Sequence, residues 1–237
     1  MGAEVLRLAA TGYCGAEVTA GVSLEPVEGF AIPCASDFAD ARTDVDCIVD
    51  FSHHSLTAEL LAFAVKHKLP LVLATTGQTP EEKQQIAEAA EKIPLFFAAN
   101  FSMGVALLIE LAKRAAAAFP EAEIEIIEKH HDRKQDAPSG TALAIAEAIR
   151  TVRPQAWVRN GRSGQCRRTP EEIGIHAVRM GNLAGEHEVI IGTPSQTITL
   201  KHEAHSRSLF AEGALTAAAY LVGKSAGLYD MNSLLKA

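Results

Sequence analysis

The chain has 237 residues, 48% of them apolar and 22% charged, with a formal net charge of −7. That length holds one large domain or two small ones with real cores, and that composition excludes a disordered chain. The acidic balance argues against a nucleic-acid coat or membrane-surface role, and with no stretch near the roughly 20 apolar residues of a membrane span and no leader pattern it points to the cytoplasm.

The first fifteen residues allow two registers. In one, Val5 to Ala10 is a strand and Ala9 to Gly15 a degraded G-x-x-G-x-x-G phosphate loop. In the other, Ala3 to Ala10 is a helix that stops at Gly12, and Glu17 to Leu24 is a strand. The first register needs a helix through Val18, Thr19, Gly21 and Val22, which are poor helix formers, so propensity favours the second. A regular alternation follows. Strands are expected over Phe30 to Cys34 and Asp46 to Phe51, then a helix over Ser55 to Lys66 with Ser55 as its cap. Pro70 to Ala74 is a strand running into Thr75-Thr76-Gly77. Thr79-Pro80-Glu81-Glu82 opens a helix, with Pro80 at its first position and acids in its first turn. Pro94 to Ala98 is another strand. Continuous apolar strands alternating with helices make a parallel α/β sheet.

After Ser102 the pattern changes. A long helix, Met103 to Ala118, leads to an alternating strand, Ala122 to Ile127. Ala142 to Ile149 is a second helix, and Arg153 to Pro170 a polar loop with weak strand character. Ile173 to Met180, Glu188 to Thr193 and Thr197 to His202 are successive strands, hence an antiparallel or mixed sheet in a second domain. Leu209 to Val222 is a helix returning to the first. Cys14, Cys34, Cys47 and Cys166 are scattered, and the histidines lack ligand spacing, so neither disulfide nor metal is expected.

Chemistry concentrates between the strand and the helix, in Glu128-Lys129-His130-His131-Asp132-Arg133-Lys134-Gln135-Asp136-Ala137-Pro138-Ser139-Gly140-Thr141. Five of the six residues from Lys129 to Lys134 are basic or imidazole, a crowding that an anion would relieve. The Pro138-Ser139-Gly140-Thr141 turn then opens a helix whose first N–H groups form a second anion site. Two grips with titratable groups between them describe a pocket for a small dianion on which a proton is moved.

This stretch resembles the signature E-x-H-H-x-x-K-x-D-A-P-S-G-T-A of the 4-hydroxy-tetrahydrodipicolinate reductase (dihydrodipicolinate reductase) family. Further segments agree in order: Val49-Asp50-Phe51-Ser52, Ala74-Thr75-Thr76-Gly77, Ala98-Ala99-Asn100-Phe101, Ile175-His176-Ala177-Val178-Arg179 and Gly185-Glu186-His187. The resemblance implies a Rossmann-like parallel-sheet domain, residues 1–101 and 208–237. It also implies an inserted α+β substrate-binding and oligomerisation domain, residues 102–207. Met1-Gly2-Ala3-Glu4-Val5 resembles the tail of the family's phosphate loop, so the first strand of the nucleotide sheet is expected to be missing. An impaired, N-terminally truncated member that binds cofactor poorly is the alternative.

The resemblance further implies reduction of a cyclic dicarboxylate with NADH or NADPH, in lysine and diaminopimelate biosynthesis, by a homotetramer with no nucleic-acid partner. His130 and Lys134 match the proton donors, and His131, Gly140 and Thr141 the carboxylate-binding residues. Ala74, Thr75, Thr76, Ala98, Ala99, Asn100 and Phe101 match the turns around nicotinamide and ribose. Glu25 closes the second strand, where an acid hydrogen-bonds the adenosine ribose, and Pro26 stands where a cation would favour a 2′-phosphate. NADH is therefore expected to serve at least as well as NADPH. Closure of the two domains would bring nicotinamide to substrate and exclude water.

Overall fold

The computed structural model describes residues 1–23 and 32–236, so the Glu25-Pro26 expectation lies outside the described residues. In chain order the elements are α1 (Gly2–Ala9), β1 (Gly21–Val22), β2 (Cys34–Ala35), β3 (Ile48–Asp50), α2 (Thr57–His67), β4 (Leu71–Leu73), α3 (Pro80–Ala90) and β5 (Pro94–Phe97). Then come α4 (Met103–Ala118), β6 (Glu123–His130), α5 (Gly140–Arg150), β7 (Trp157–Asn160), β8 (Glu172–Arg179), β9 (Gly185–Gly192) and β10 (Thr197–Ala204). The described chain closes with α6 (Ser208–Leu221), β11 (Gly227–Tyr229) and α7 (Met231–Leu235). It divides into two units, Met1–Ser102 with Ser208–Ala237, and Met103–Arg207.

In the first unit, β11, β5, β4 and β3 form a parallel four-stranded sheet in that order. β4 shows why: Leu71, Val72 and Leu73 have no exposed surface, so the strand is covered on both faces. Leu71, Leu73 and Leu95 pack with Leu60 and Leu61 of α2 and Ile86 of α3. On the other face Phe96 meets Phe101 and Tyr220 of α6. α6 is lined with Ala211, Gly213, Ala214 and Ala217, all buried, and it also carries α1 through Val5, Ala9 and Leu215.

The N-terminal segment takes the register with helix first. α1 runs to Ala9, and Gly12 follows in the left-handed region (φ 76°). Of the strand expected over Glu17 to Leu24, whose last residue lies outside the described ones, Gly21 and Val22 are paired, to β2, in a sheet apart from the four-stranded one. α2 begins at Thr57 rather than Ser55, because His53 to Leu56 form a tighter turn in which His53 accepts the Ser55 backbone N–H. At α3, Thr79 and Glu82 make the reciprocal capping box that their spacing predicts.

The second unit is a mixed five-stranded sheet, order β10-β9-β6-β8-β7. β6 pairs parallel with β8 and antiparallel with β9. α4 and α5 cover one face, where Ile124 and Ile126 meet Ile145, Ile149, Ile173 and Val189. The strand expected over Glu188 to Thr193 is β9, which ends at Gly192 and starts earlier, at Gly185, because its first residues pair with β6 and β10. β11 and α7 carry no signal strong enough to be read from sequence, and the weak strand character after Arg153 resolves as β7.

One close approach holds a loop in the first unit. A side-chain carbon at Gly213 would stand 1.7 Å from the Phe101 carbonyl oxygen, which is backbone and cannot swing aside. Gly213→Ala is expected to lower stability by roughly 1–3 kcal/mol, the usual cost of overpacking, read as an earlier urea midpoint.

Candidate active site

β6 organises the second unit's site. Its alternation sends Ile124, Ile126, Glu128 and His130 to the helix-covered face, and all four are buried. Glu125, Ile127 and Lys129 face the other way. The carboxylate of Glu128, 0% exposed, is held from three directions. Arg179, brought opposite by β8, donates to both its oxygens at 2.8 Å. His130 Nδ1 lies 2.6 Å from Oε2, and the Ser139 backbone N–H donates to Oε1 at 3.0 Å. Burial pushes this carboxyl up, but Arg179, His130 and Ser139 together outweigh it and hold it below the usual carboxylate range.

Ser139 is the N-cap of α5. Its hydroxyl oxygen accepts the Ala142 N–H at 3.2 Å and meets His187 Nε2 at 2.9 Å. Gly140 and Thr141 are the next two residues, in the first turn, at the positive end of the helix. The turn enters through a cis Ala137-Pro138 bond. His187, on β9 opposite Glu128, packs edge-on against the His130 ring with centroids 5.1 Å apart. Burial first, then the charge of His130, pushes His187 down to about 4.

Burial likewise lowers His130, against the upward pull of Glu128; Lys134 and Arg179 add to the lowering. Lys134 bonds Asp136 at 2.8 Å, which holds Asp136 low, and the Asp136 carbonyl accepts from Arg179. His131 is anchored by its backbone N–H to the Leu183 carbonyl, while its buried Nδ1 finds no hydrogen-bond partner. A buried polar atom without a partner marks a position suited to a ligand.

The crowded basic run is thus less cationic than its sequence implies. Strand alternation turns Lys129 to the far face, onto Glu186, which Lys201 also reaches. Arg133 is taken up by Asp132 and Asn182. Two positive groups remain on the site side, Lys134 and Arg179, each with a carboxylate beside it.

In the first unit, Ala74-Thr75-Thr76-Gly77 and Ala98-Ala99-Asn100-Phe101 follow the carboxyl ends of β4 and β5. Those strands are register neighbours through Leu73 and Phe97, so the two turns stand side by side. The Thr75 hydroxyl donates to buried Asp50 at 2.6 Å, and its carbonyl accepts from Gln78 at 2.7 Å. Ala74 and Phe101 are buried, so they meet a ligand only through backbone. Thr76, Gly77 and Ala99 are exposed, and Gly77 takes a left-handed φ of 93°. Small exposed residues beside a braced turn fit the flat ring and ribose of a nicotinamide cofactor.

Sequence reasoning gave no role to Glu128, Arg179, Gly185 or His187. For Glu128 a signal existed: an acid in phase with Ile124 and Ile126 on a core face must be paired. A side-chain carbon at Gly185 would come within 3.1 Å of His130 Nε2, so its bareness keeps room beside that nitrogen.

Among the described residues no group of three His, Cys, Asp or Glu could hold a metal ion, and no helix is long and apolar enough to cross a membrane.

Comparison with known proteins gives one consistent result. The family model "Dihydrodipicolinate reductase, N-terminus" matches residues 1–101, and "Dihydrodipicolinate reductase, C-terminus" matches residues 104–235. A 4-hydroxy-tetrahydrodipicolinate reductase of Caldanaerobacter subterraneus subsp. tengcongensis is 45% identical over 224 residues, 93% of this chain and 88% of the relative. One from Clostridium tetani is 40% identical, covering 92% and 87%. Among solved structures, a dipicolinate-bound dihydrodipicolinate reductase from Paenisporosarcina sp. TG-14 superposes with a TM-score of 0.78. It is 27% identical, covering 97% of this chain and 95% of that one.

His187 gives the site a pH-dependent cost. Unfolded, it takes a proton near pH 6.5; folded, it stays neutral down to about 4. Its stabilisation is complete above the unfolded value, is lost as pH falls between the two, and does not change further below. At about 1.4 kcal/mol per unit the full loss is about 3 kcal/mol. In His187→Gln, the gap in unfolding free energy between about pH 7 and about pH 4.5 is expected to shrink by about 2 kcal/mol in urea titrations. An unchanged gap would show that His187 is not what acid charges.

Proposed function

The chain belongs to the dihydrodipicolinate reductase family, and on that premise we propose that it reduces 4-hydroxy-tetrahydrodipicolinate to tetrahydrodipicolinate, with loss of water, using NADH or NADPH. This is a step of lysine and diaminopimelate biosynthesis. The observation that carries the reading is the convergence of His130 and the Ser139-capped start of α5 on the buried Glu128 carboxylate, with Lys134, paired to the exposed Asp136, in the loop between them.

Each residue has a task that follows from its position. Gly140 and Thr141, at the positive end of α5, would bind one carboxylate of the substrate. His131, with its buried unpartnered Nδ1, and Lys134 would hold the other. The nicotinamide, when bound, supplies a hydride. Ala74, Thr75, Thr76, Ala98, Ala99, Asn100 and Phe101 would seat it, with Glu25 on the adenosine ribose. Loss of the C4 hydroxyl with a hydrogen of the adjacent ring carbon, as water, would form the double bond to which hydride adds at C4, and the displaced electron pair then rests on that adjacent carbon. A proton from His130 Nε2 or Lys134 Nζ would close that step. Burial of His130 and its pairing with Glu128 exclude water from one side of the ring.

We also read the chain as a homotetramer subunit. Supporting this, α4 and α5 cover only one face of the five-stranded sheet, and Ile127, Val178 and Ile190 lie partly exposed on the other.

His130→Ala and Lys134→Ala are each expected to lower kcat by roughly 10²–10⁴, the usual worth of a placed proton donor, in a coupled assay that supplies the substrate and follows NADH absorbance. Normal turnover in both would remove them from the mechanism. With Pro26 after Glu25, kcat/KM for NADH is expected to equal or exceed that for NADPH; a large NADPH preference in the same assay would contradict this.

A further inference from the structure

We propose that Glu128 is a positioning residue that keeps a proton on His130 Nδ1 and turns Nε2 to the open side of the ring, and that Arg179 tunes this by competing for the same carboxylate. The inference rests on His130 being the proton donor of the reading above, but its geometry stands apart from that reading.

A carboxylate accepts and cannot donate. His130 Nδ1, 2.6 Å from Glu128 Oε2, must therefore carry hydrogen. The neutral ring then has its lone pair on Nε2, and that atom picks up and releases the working proton. Nε2 makes no hydrogen bond among the described residues, and Gly185 beside it has no side chain to fill the space. So Glu128 settles both the tautomer and the direction of the reactive nitrogen.

Oε2 is shared. It accepts from His130 and from Arg179 Nη1, while Oε1 accepts from Arg179 Nη2 and the Ser139 N–H. The more negative charge Arg179 withdraws, the less the carboxylate supports an imidazolium. The groups facing His130 are Glu128 on its own strand, Arg179 on β8, His187 on β9 and Lys134 in the following loop. Among these Glu128 alone is an anion, so it opposes burial and three neighbours that are cationic or can become so. The Ser139 bond extends the effect, because the acceptor that aims His130 also fixes the first turn of α5. One carboxylate thus sets the spacing between the proton donor and the anion grip.

The test uses the intact protein, labelled with ¹⁵N-histidine, and follows the His130 ring nitrogens by NMR as pH is varied without substrate. Glu128→Gln removes the charge but keeps the shape, and its amide N–H₂ would face Nδ1. The neutral ring is expected to switch to the Nε2–H tautomer, and its titration to move at least about one pH unit to the acid side. Arg179→Gln frees the carboxylate, and the His130 titration is expected to move alkaline. Opposite shifts from two neighbouring substitutions are not what general loosening would produce. No shift in either variant, or shifts of the same sign, would overturn the proposal. If Glu128→Gln does not fold, as judged by circular dichroism, Arg179→Gln decides alone: an alkaline shift supports the proposal and its absence sinks it. The kcat–pH profile of the same variants separates the two claims. If the ring titration moves and the profile does not follow, His130 is not the donor, while the positioning by Glu128 stands.

Discussion

A carboxylate with no exposed surface has to be met by donors or else give up its charge. Glu128 is met by a guanidinium, an imidazole and a backbone N–H, each delivered by a different part of the second unit. Arg179 arrives because β8 runs parallel to β6 in the register that pairs His130 with Arg179. Ser139 arrives because the turn before α5 doubles back over the end of β6. His130 arrives because two residues along a strand is one step along the same face. The donors would disperse without the acid, and the acid would be intolerable without them. The geometry of the site is therefore also the condition for folding that corner of the protein.

The first unit uses the same device on a smaller scale. Asp50 ends β3 nearly buried, and it accepts from the Thr75 hydroxyl and the Ser52 N–H. The turn after β4 is thereby braced against the end of its neighbour. The strands that lead there are short and wholly apolar, so their side chains have no surface chemistry to offer. What they offer is position: they end together, and the small residues beyond them are left exposed. In this unit the turns present the exposed groups, while the strands and the close packing of α6 hold the core.

Much of this was legible in the residues. The alternation from Ala122 to Ile127, the Thr79 cap and the Ser139-Gly140-Thr141 helix start are local signals, and local physics decides them. The passage from a parallel to a mixed sheet followed from the change of pattern after Ser102. What escaped depends on distance. Arg179 is 51 positions from Glu128, and nothing in either neighbourhood says that they will meet. The charge of the Lys129 to Lys134 run was overread, since its counter-ions include Glu186, 57 positions from Lys129. The short β1, the late start of α2 and the unforeseen β11 have a related cause. Two- and three-residue pairings are made by tertiary neighbours and leave no period in the sequence.

β6 is paired to β8 and to β9 along nearly its whole length, and it is the middle strand of five. Segments open locally in proportion to how little holds them, and a strand bonded on both edges and packed under two helices is among the last to open. His130 is the final residue of that strand. The group read here as moving the proton is therefore mounted on the stiffest part of its unit rather than on a mobile lid. The loop that follows is tied to the turn between β8 and β9, His131 to the Leu183 carbonyl and Asp132 to the Gly181 carbonyl, so Lys134 is hung from the same frame as the imidazole.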